Sequence, residues 1–186
     1  MKPEYAIAAG IAALLVLVAL VAWLLLRRKK GPEIKQALEA VAIARLQHVL
    51  VPDGMGGHIQ VEHLLLTSQG LVVIDAKSFA GTIFASERME EWTVIGKQGR
   101  FTFPNPLGTL YDRVAALRQL ARDVPVAGHV LFASGADFSK GRPRDVLSAS
   151  ELVDRYRRPE KEDTERLLTA FAPHWDRVKA SIEPVP

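Results

Sequence analysis

Gln60-Val61-Glu62-His63-Leu64-Leu65-Leu66, then Thr67-Ser68-Gln69-Gly70, then Leu71-Val72-Val73-Ile74-Asp75-Ala76-Lys77, read as two apolar strands joined by a short turn. The strands carry charge only where each apolar run breaks. Side chains two apart on a strand leave the same face, so Asp75 and Lys77 project together. If the hairpin closes with Thr67 opposite Gly70, the same register sets Glu62 opposite Asp75, with Cβ atoms about 4.5–5.5 Å apart. A three-residue loop with Gly70 in a bulge would instead send the two carboxylates to opposite faces. By the same alternation His63 leaves the face opposite Glu62. Two carboxylates that close repel unless a cation lies between them, and such a pair beside a lysine is what a hard divalent metal needs. The lysine is then placed to polarise a water or to stabilise charge on a phosphate under attack.

Working outward from the hairpin, Ile34, Ala37, Leu38, Val41 and Ala42 recur at helical spacing behind Gly31-Pro32. Strand-like runs cover 46–51, 59–66, 71–77, 82–85, 92–95 and 100–103, with turn signals at Asp53-Gly54-Met55-Gly56-Gly57, Ser68-Gln69-Gly70 and Gly96-Lys97-Gln98-Gly99. Asn105-Pro106 reads as the N-cap and first residue of a helix striped by Leu107, Leu110, Val114, Leu117 and Leu120. A strand at 129–133, a short one near 145–147, a helix from Ser150 and a last helix from about Glu160, stopping before Pro173, complete the order. This order predicts an α/β (α+β) fold, with one mixed sheet covered by helices. Trp92, Phe101 and Phe103 read as alternating core residues of their strands rather than as stacking platforms. Gly54, Gly56 and Gly57 do not make a phosphate loop, because no Lys-Ser/Thr follows and no helix opens there.

At the N-terminus, residues 5–26 form a run of 22 with no charge and only Gly10 outside the apolar set. As a helix this spans about 33 Å, enough for a hydrocarbon core roughly 30 Å thick, and too long for the apolar core of a signal peptide. Arg27, Arg28, Lys29 and Lys30 follow it. The positive-inside rule then places the remainder in the cytoplasm, on a single-pass anchor in a bacterial inner membrane. The expected organisation is an anchor with its basic cluster at 1–30 and one domain at 31–186. The formal charge of +3 belongs to the anchor, because without Lys2, Glu4 and the basic cluster the balance is 19 basic to 20 acidic residues. The pI near 9.3 is therefore no argument for a basic nucleic-acid surface. The absence of Cys excludes a disulfide framework, a zinc ribbon and a thiol nucleophile.

Gln60-Val61-Glu62-His63, Gly70, Asp75-Ala76-Lys77 and Gly81-Thr82-Ile83, followed by Trp92 and Asn105-Pro106-Leu107, stand in an order and spacing that resemble the nuclease-related domain (NERD), a branch of the PD-(D/E)xK phosphodiesterases. The resemblance covers about 31–123. It implies a restriction-endonuclease-like mixed sheet flanked by helices and hydrolysis of nucleic-acid phosphodiesters by metal-activated water. By the same resemblance Glu62 and Asp75 are ligands of Mg²⁺ or Mn²⁺, Lys77 is the catalytic lysine, and a glutamate of the first helix is a further acidic member. Glu33 and Glu39 compete for that last role. They lie about 110° and 130° from the centre of the helix's apolar stripe, and Glu33 is the marginal choice.

The chain also departs from the pattern. The family has Asp before Glu, whereas here Glu62 precedes Asp75, and Thr109 stands where the family has a glutamine. The exchange lengthens one ligand by a methylene and shortens the other. A second expectation follows from it: a non-catalytic, membrane-tethered module that uses the same fold to bind nucleic acid or a protein.

Overall fold

The computed structural model describes residues 33–158 and 161–185. The chain order is α1 (Ile34–Val41), β1 (Ala44–Pro52), β2 (His58–Thr67), β3 (Gly70–Lys77), β4 (Gly81–Phe84), β5 (Glu91–Gly96), β6 (Gly99–Pro104), α2 (Leu107–Leu120), β7 (Val126–Phe132), β8 (Ala136–Asp137), β9 (Val146–Ser148), α3 (Ala149–Arg155), α4 (Lys161–Ser181) and β10 (Glu183–Pro184). The expected membrane anchor at 5–26 and its basic cluster lie outside the described residues. Among those described, no helix is long and apolar enough to cross a membrane.

Leu64, Leu65, Leu66, Leu71, Val72, Val73 and Ile74 are all buried, which is why β2 and β3 read as unbroken apolar runs instead of alternating. They are the central strands of a six-stranded mixed sheet, ordered β10-β1-β2-β3-β7-β9, in which β3, β7 and β9 are parallel. Leu64, Leu66, Leu71 and Val73 share one core with Leu110, Val114 and Leu117 of α2 and Trp175 and Val178 of α4. Leu65, Val72, Ile74 and Leu131 share the other with Ala37, Leu38 and Val41 of α1, Leu152 of α3 and Tyr156 just beyond it.

Three expectations are corrected. There are two sheets, not one: β4, β5, β6 and β8 form a separate four-stranded sheet ordered β6-β5-β4-β8. The division falls at Gly81, where φ is +127° and a Cβ would strike the carbonyl of Ile95, so the chain leaves β3 through Ser78-Phe79-Ala80 and turns into new partners. Second, α4 does not stop at Pro173 but runs through it. The missing N–H and the ring clash are tolerated because the turns beyond bury Trp175 and Val178 in the main core. Third, only Trp92 is a core aromatic in the small sheet. Phe101, on the edge strand β6, is 44% exposed, and Phe103 is half-buried.

One buried polar pair shapes the pH response. His129 is 3% exposed, and its Nε2 shares a 2.7 Å hydrogen bond with the Tyr156 hydroxyl. Its Nδ1 has no hydrogen-bond partner and lies 3.9 Å from Asp145 Oδ1. Burial, with Arg155 adding to it, pushes the imidazole down to about 4 from an ordinary 6.5. The unfolded chain therefore takes up a proton that the folded chain refuses. Stability from this group is complete above pH 6.5 and falls as pH drops towards 4, by about 3 kcal/mol in all. Melting curves of wild type and His129→Leu between pH 7.5 and 4 should differ in slope over that window, the variant being the flatter. Parallel slopes would remove His129 as the source.

Candidate active site

The β2–β3 hairpin closes as the two-residue turn requires: Thr67 pairs with Gly70, Leu66 with Leu71, and the ladder continues to His63 and Ile74. It stops there, although β2 extends back to His58 and β3 on to Lys77. Antiparallel pairs exchange hydrogen bonds at every second rung, so the Ala76 N–H should next find the carbonyl of Val61. It donates instead to Glu62 Oε2, at 3.1 Å. The Glu62 carboxylate has taken the place of a ladder bond at the point where the strands part.

A second irregularity lies at the same level in β1. His48 holds φ at +49°, a left-handed conformation that costs a non-glycine residue energy. Gln47 pairs with His63 and Val49 with Val61, but His48 and Glu62 make no pair. Across this point the face alternation slips, since Val61, Leu64 and Leu66 all enter the same core. The slip corrects the expectation for His63. Its Nε2 lies 3.5 Å from Glu62 Oε1, and its Nδ1 lies 3.2 Å from Gln47 Nε2. Burial pushes this imidazole below its ordinary value, against the opposing pull of Glu62, so the ring beside the carboxylate is neutral at pH 7.

Asp75 projects on the α2 side of the sheet and is 6% exposed. Lys77 Nζ reaches its Oδ1 at 2.7 Å, as the two-residue spacing requires, and Arg113 Nη1 reaches Oδ2 at 3.3 Å. The same guanidinium donates through Nε to the carbonyl of Gln60 at 2.6 Å, which ties the departing end of β2 to Asp75. Sequence reasoning missed Arg113. A signal was present: Arg113 falls on the buried stripe of its helix, three residues after Leu110 and four before Leu117, where a long cation is expected only with a buried partner.

The structure thus joins Asp75, Lys77 and Arg113 in ion pairs and sets the Glu62 carboxylate on the Ala76 N–H, one residue along from Asp75. It does not bring the first-helix glutamates there. Glu33 precedes α1 and its backbone N–H bonds to Gln36, while Glu39 meets Arg158 only through its carbonyl. Glu33 caps, and Glu39 lies on, the helix packed on the opposite core, and neither has a hydrogen bond or ion pair to Glu62, Asp75 or Lys77. Trp92 and Asn105 serve the frame. The Trp92 indole donates to the Ser86 carbonyl at 3.0 Å, and the Asn105 amide clasps the same turn at Met89 while its Oδ1 caps Leu107 N–H.

Among the described residues no three acidic or histidine side chains converge to cage a metal. The two carboxylates still suit a cation that keeps most of its water, since Mg²⁺ commonly binds proteins through one or two carboxylates. Asp75 uses two of about four lone-pair directions, one on each oxygen, and Glu62 Oε1 lies 3.5 Å from His63 Nε2.

Fold and site together define a mixed α+β domain carrying two acids and a lysine where two central strands separate. Residues 33–133, more than half of the chain, match the family model described as nuclease-related domain (NERD), and the chain belongs to that family. A Bacillus anthracis protein described as uncharacterized is 28% identical over 75 residues, or 40% of this chain. The aligned region spans about a third (35%) of that relative's length. No solved structure matches the chain.

Proposed function

We propose that this chain hydrolyses phosphodiester bonds in nucleic acid, with Mg²⁺ or Mn²⁺ held by Glu62 and Asp75 and with Lys77 acting on the water or the phosphate. The observation that carries this reading is the pair of contacts where the β2–β3 ladder ends: Glu62 Oε2 accepts from the Ala76 N–H, the residue next to Asp75, and Lys77 Nζ meets Asp75 Oδ1. The restriction-endonuclease-like arrangement agrees with a central hairpin joined in parallel to β7. A bound Mg²⁺ would supply Lewis acidity and a more acidic water at neutral pH. The chain's own groups do the rest. Glu62 is positioned by the Ala76 N–H, Arg113 holds Asp75 and the Gln60 carbonyl in one frame, and Lys77, paired with Asp75, is the cation that would meet an incoming phosphate.

A second reading has its own support. Asp75 already carries two cationic partners, which makes the resting site close to neutral and suits a module that binds without cutting. The wild-type full-length chain, incubated with single- and double-stranded DNA and RNA, separates the two readings. The enzyme reading expects cleavage that needs Mg²⁺ or Mn²⁺ and a rise in melting temperature with either metal. A folded chain that cuts nothing and whose melting ignores both metals would leave only the binding module.

The reading also includes attachment to the inner membrane through residues 5–26, with the domain on the cytoplasmic side, from the basic cluster that follows the apolar run. A C-terminus open to external protease in intact spheroplasts would overturn that orientation.

A further inference from the structure

The geometry points to a subsite beside the candidate active site that takes one unpaired nucleobase, stacked on Phe101. This inference rests on the nucleic-acid reading above and adds to it where the strand runs and which form of substrate is preferred. A cavity of about 760 Å³ opens between the Ser78–Gly81 linker and the tip of the β5–β6 hairpin, with Phe79, Lys97, Gln98 and Phe101 on its walls. This volume lies within the usual range for ligand pockets, about 300–1,000 Å³.

Three observations select the occupant. Phe101 is 44% exposed on an edge strand, yet it is not loose: Phe79 meets it edge-on at 5.1 Å between centroids, and Phe79 in turn rests on Phe103 and Phe132. An exposed ring braced by half-buried Phe79 and Phe103, with buried Phe132 behind them, offers an aromatic face that every base can use. The charge suits a polyanion, since among the described residues Lys97 is the one charged residue lining the cavity and no acid lines it. The position is set by the chain itself. Phe79 is two residues after Lys77, so their Cα atoms lie at most about 7.6 Å apart. A phosphate at Lys77 therefore leaves an adjacent base within reach of the Phe79–Phe101 wall. A base paired in a duplex cannot lie flat on that wall, so the subsite selects single strands or frayed ends.

The test is the affinity of the full-length chain, without metal, for a fluorescent single-stranded oligonucleotide and for a blunt duplex of the same sequence. Phe101→Ala should weaken single-strand binding by about 5- to 150-fold, the loss of one stacked base, and leave duplex affinity within about twofold. Phe101→Trp should keep wild-type affinity and show fluorescence quenching on single-strand binding that exceeds any quenching of the wild-type chain. Equal effects of Phe101→Ala on both substrates, or no effect on either, would overturn the subsite while leaving the phosphodiesterase reading in place. A wild-type chain that binds neither substrate would overturn both.

Discussion

Asp75→Asn is expected to abolish metal-dependent cleavage of nucleic acid by a chain that remains folded. The substitution keeps the shape of the side chain but removes the charge that would attract a divalent ion, and Glu62 alone offers too few oxygens for Mg²⁺ to stay bound. Asp75 is also the anchor for two cations, so the variant will be less stable. Loss of its charge-assisted bonds to Lys77 and Arg113 should cost about 1.5–3 kcal/mol, or on the order of 5–10 °C in melting temperature for a chain of this size. Arg113 keeps its bond to the Gln60 carbonyl, which holds the end of β2 in place. The decisive comparison is the melting temperature with and without Mg²⁺: the metal-dependent rise should vanish in Asp75→Asn. Cleavage at the wild-type rate by the folded variant would exclude Asp75 from the chemistry.

Lys77→Ala should separate two functions that Asp75→Asn removes together. The ammonium touches the carboxylate that is to hold the metal, so in the resting site it competes with a divalent ion for Asp75 Oδ1. Taking it away should leave metal affinity unchanged or raised. Cleavage should nevertheless fall by about 10² or more, the usual loss when one preorganised electrostatic stabiliser is removed. Titration of Mg²⁺ by melting temperature and cleavage under saturating metal give the two readouts. A variant that loses metal binding along with activity would make Lys77 a structural partner of Asp75 and nothing else.

The parts of this site that could be read from the sequence are those governed by short-range rules. Period-two alternation and the two-residue turn at Ser68-Gln69 set the register of β2 against β3, and with it the shared face of Asp75 and Lys77. Helix positions followed from apolar spacing, and Asn105 capped the helix it was expected to open. The rest depends on what meets across the fold. Arg113 reaches Asp75 from 38 residues further along, and only the packing of α2 on the sheet decides which residue of its stripe arrives there. The left-handed turn at His48, level with the end of the β2–β3 ladder, has no signal in the apolar pattern. Strand patterns announce β4–β6 well but carry no information on whether they extend the central sheet or found a second one. The continuation of α4 past Pro173 was hidden because local propensity argues for a stop, while burial of Trp175 and Val178 argues against it.

The parallel pairing of β3 with β7 also sets when the site can come into being. Gly70–Lys77 and Val126–Phe132 are separated by β4, β5, β6 and α2, so their union waits for a loop of about fifty residues to close, whereas the β2–β3 hairpin forms between neighbours. On a ribosome the hairpin emerges first, with Asp75 and Lys77 on a strand whose other edge is still bare. The helix that supplies Arg113 follows, and the strand that pins Asp75 and Ala76 against Val130 and Leu131 comes after it. Tight geometry among the two acids, the lysine and the arginine is therefore a late product of synthesis. A nascent or truncated chain that ends before Val126 carries every residue of the candidate centre without the neighbour that holds β3 still.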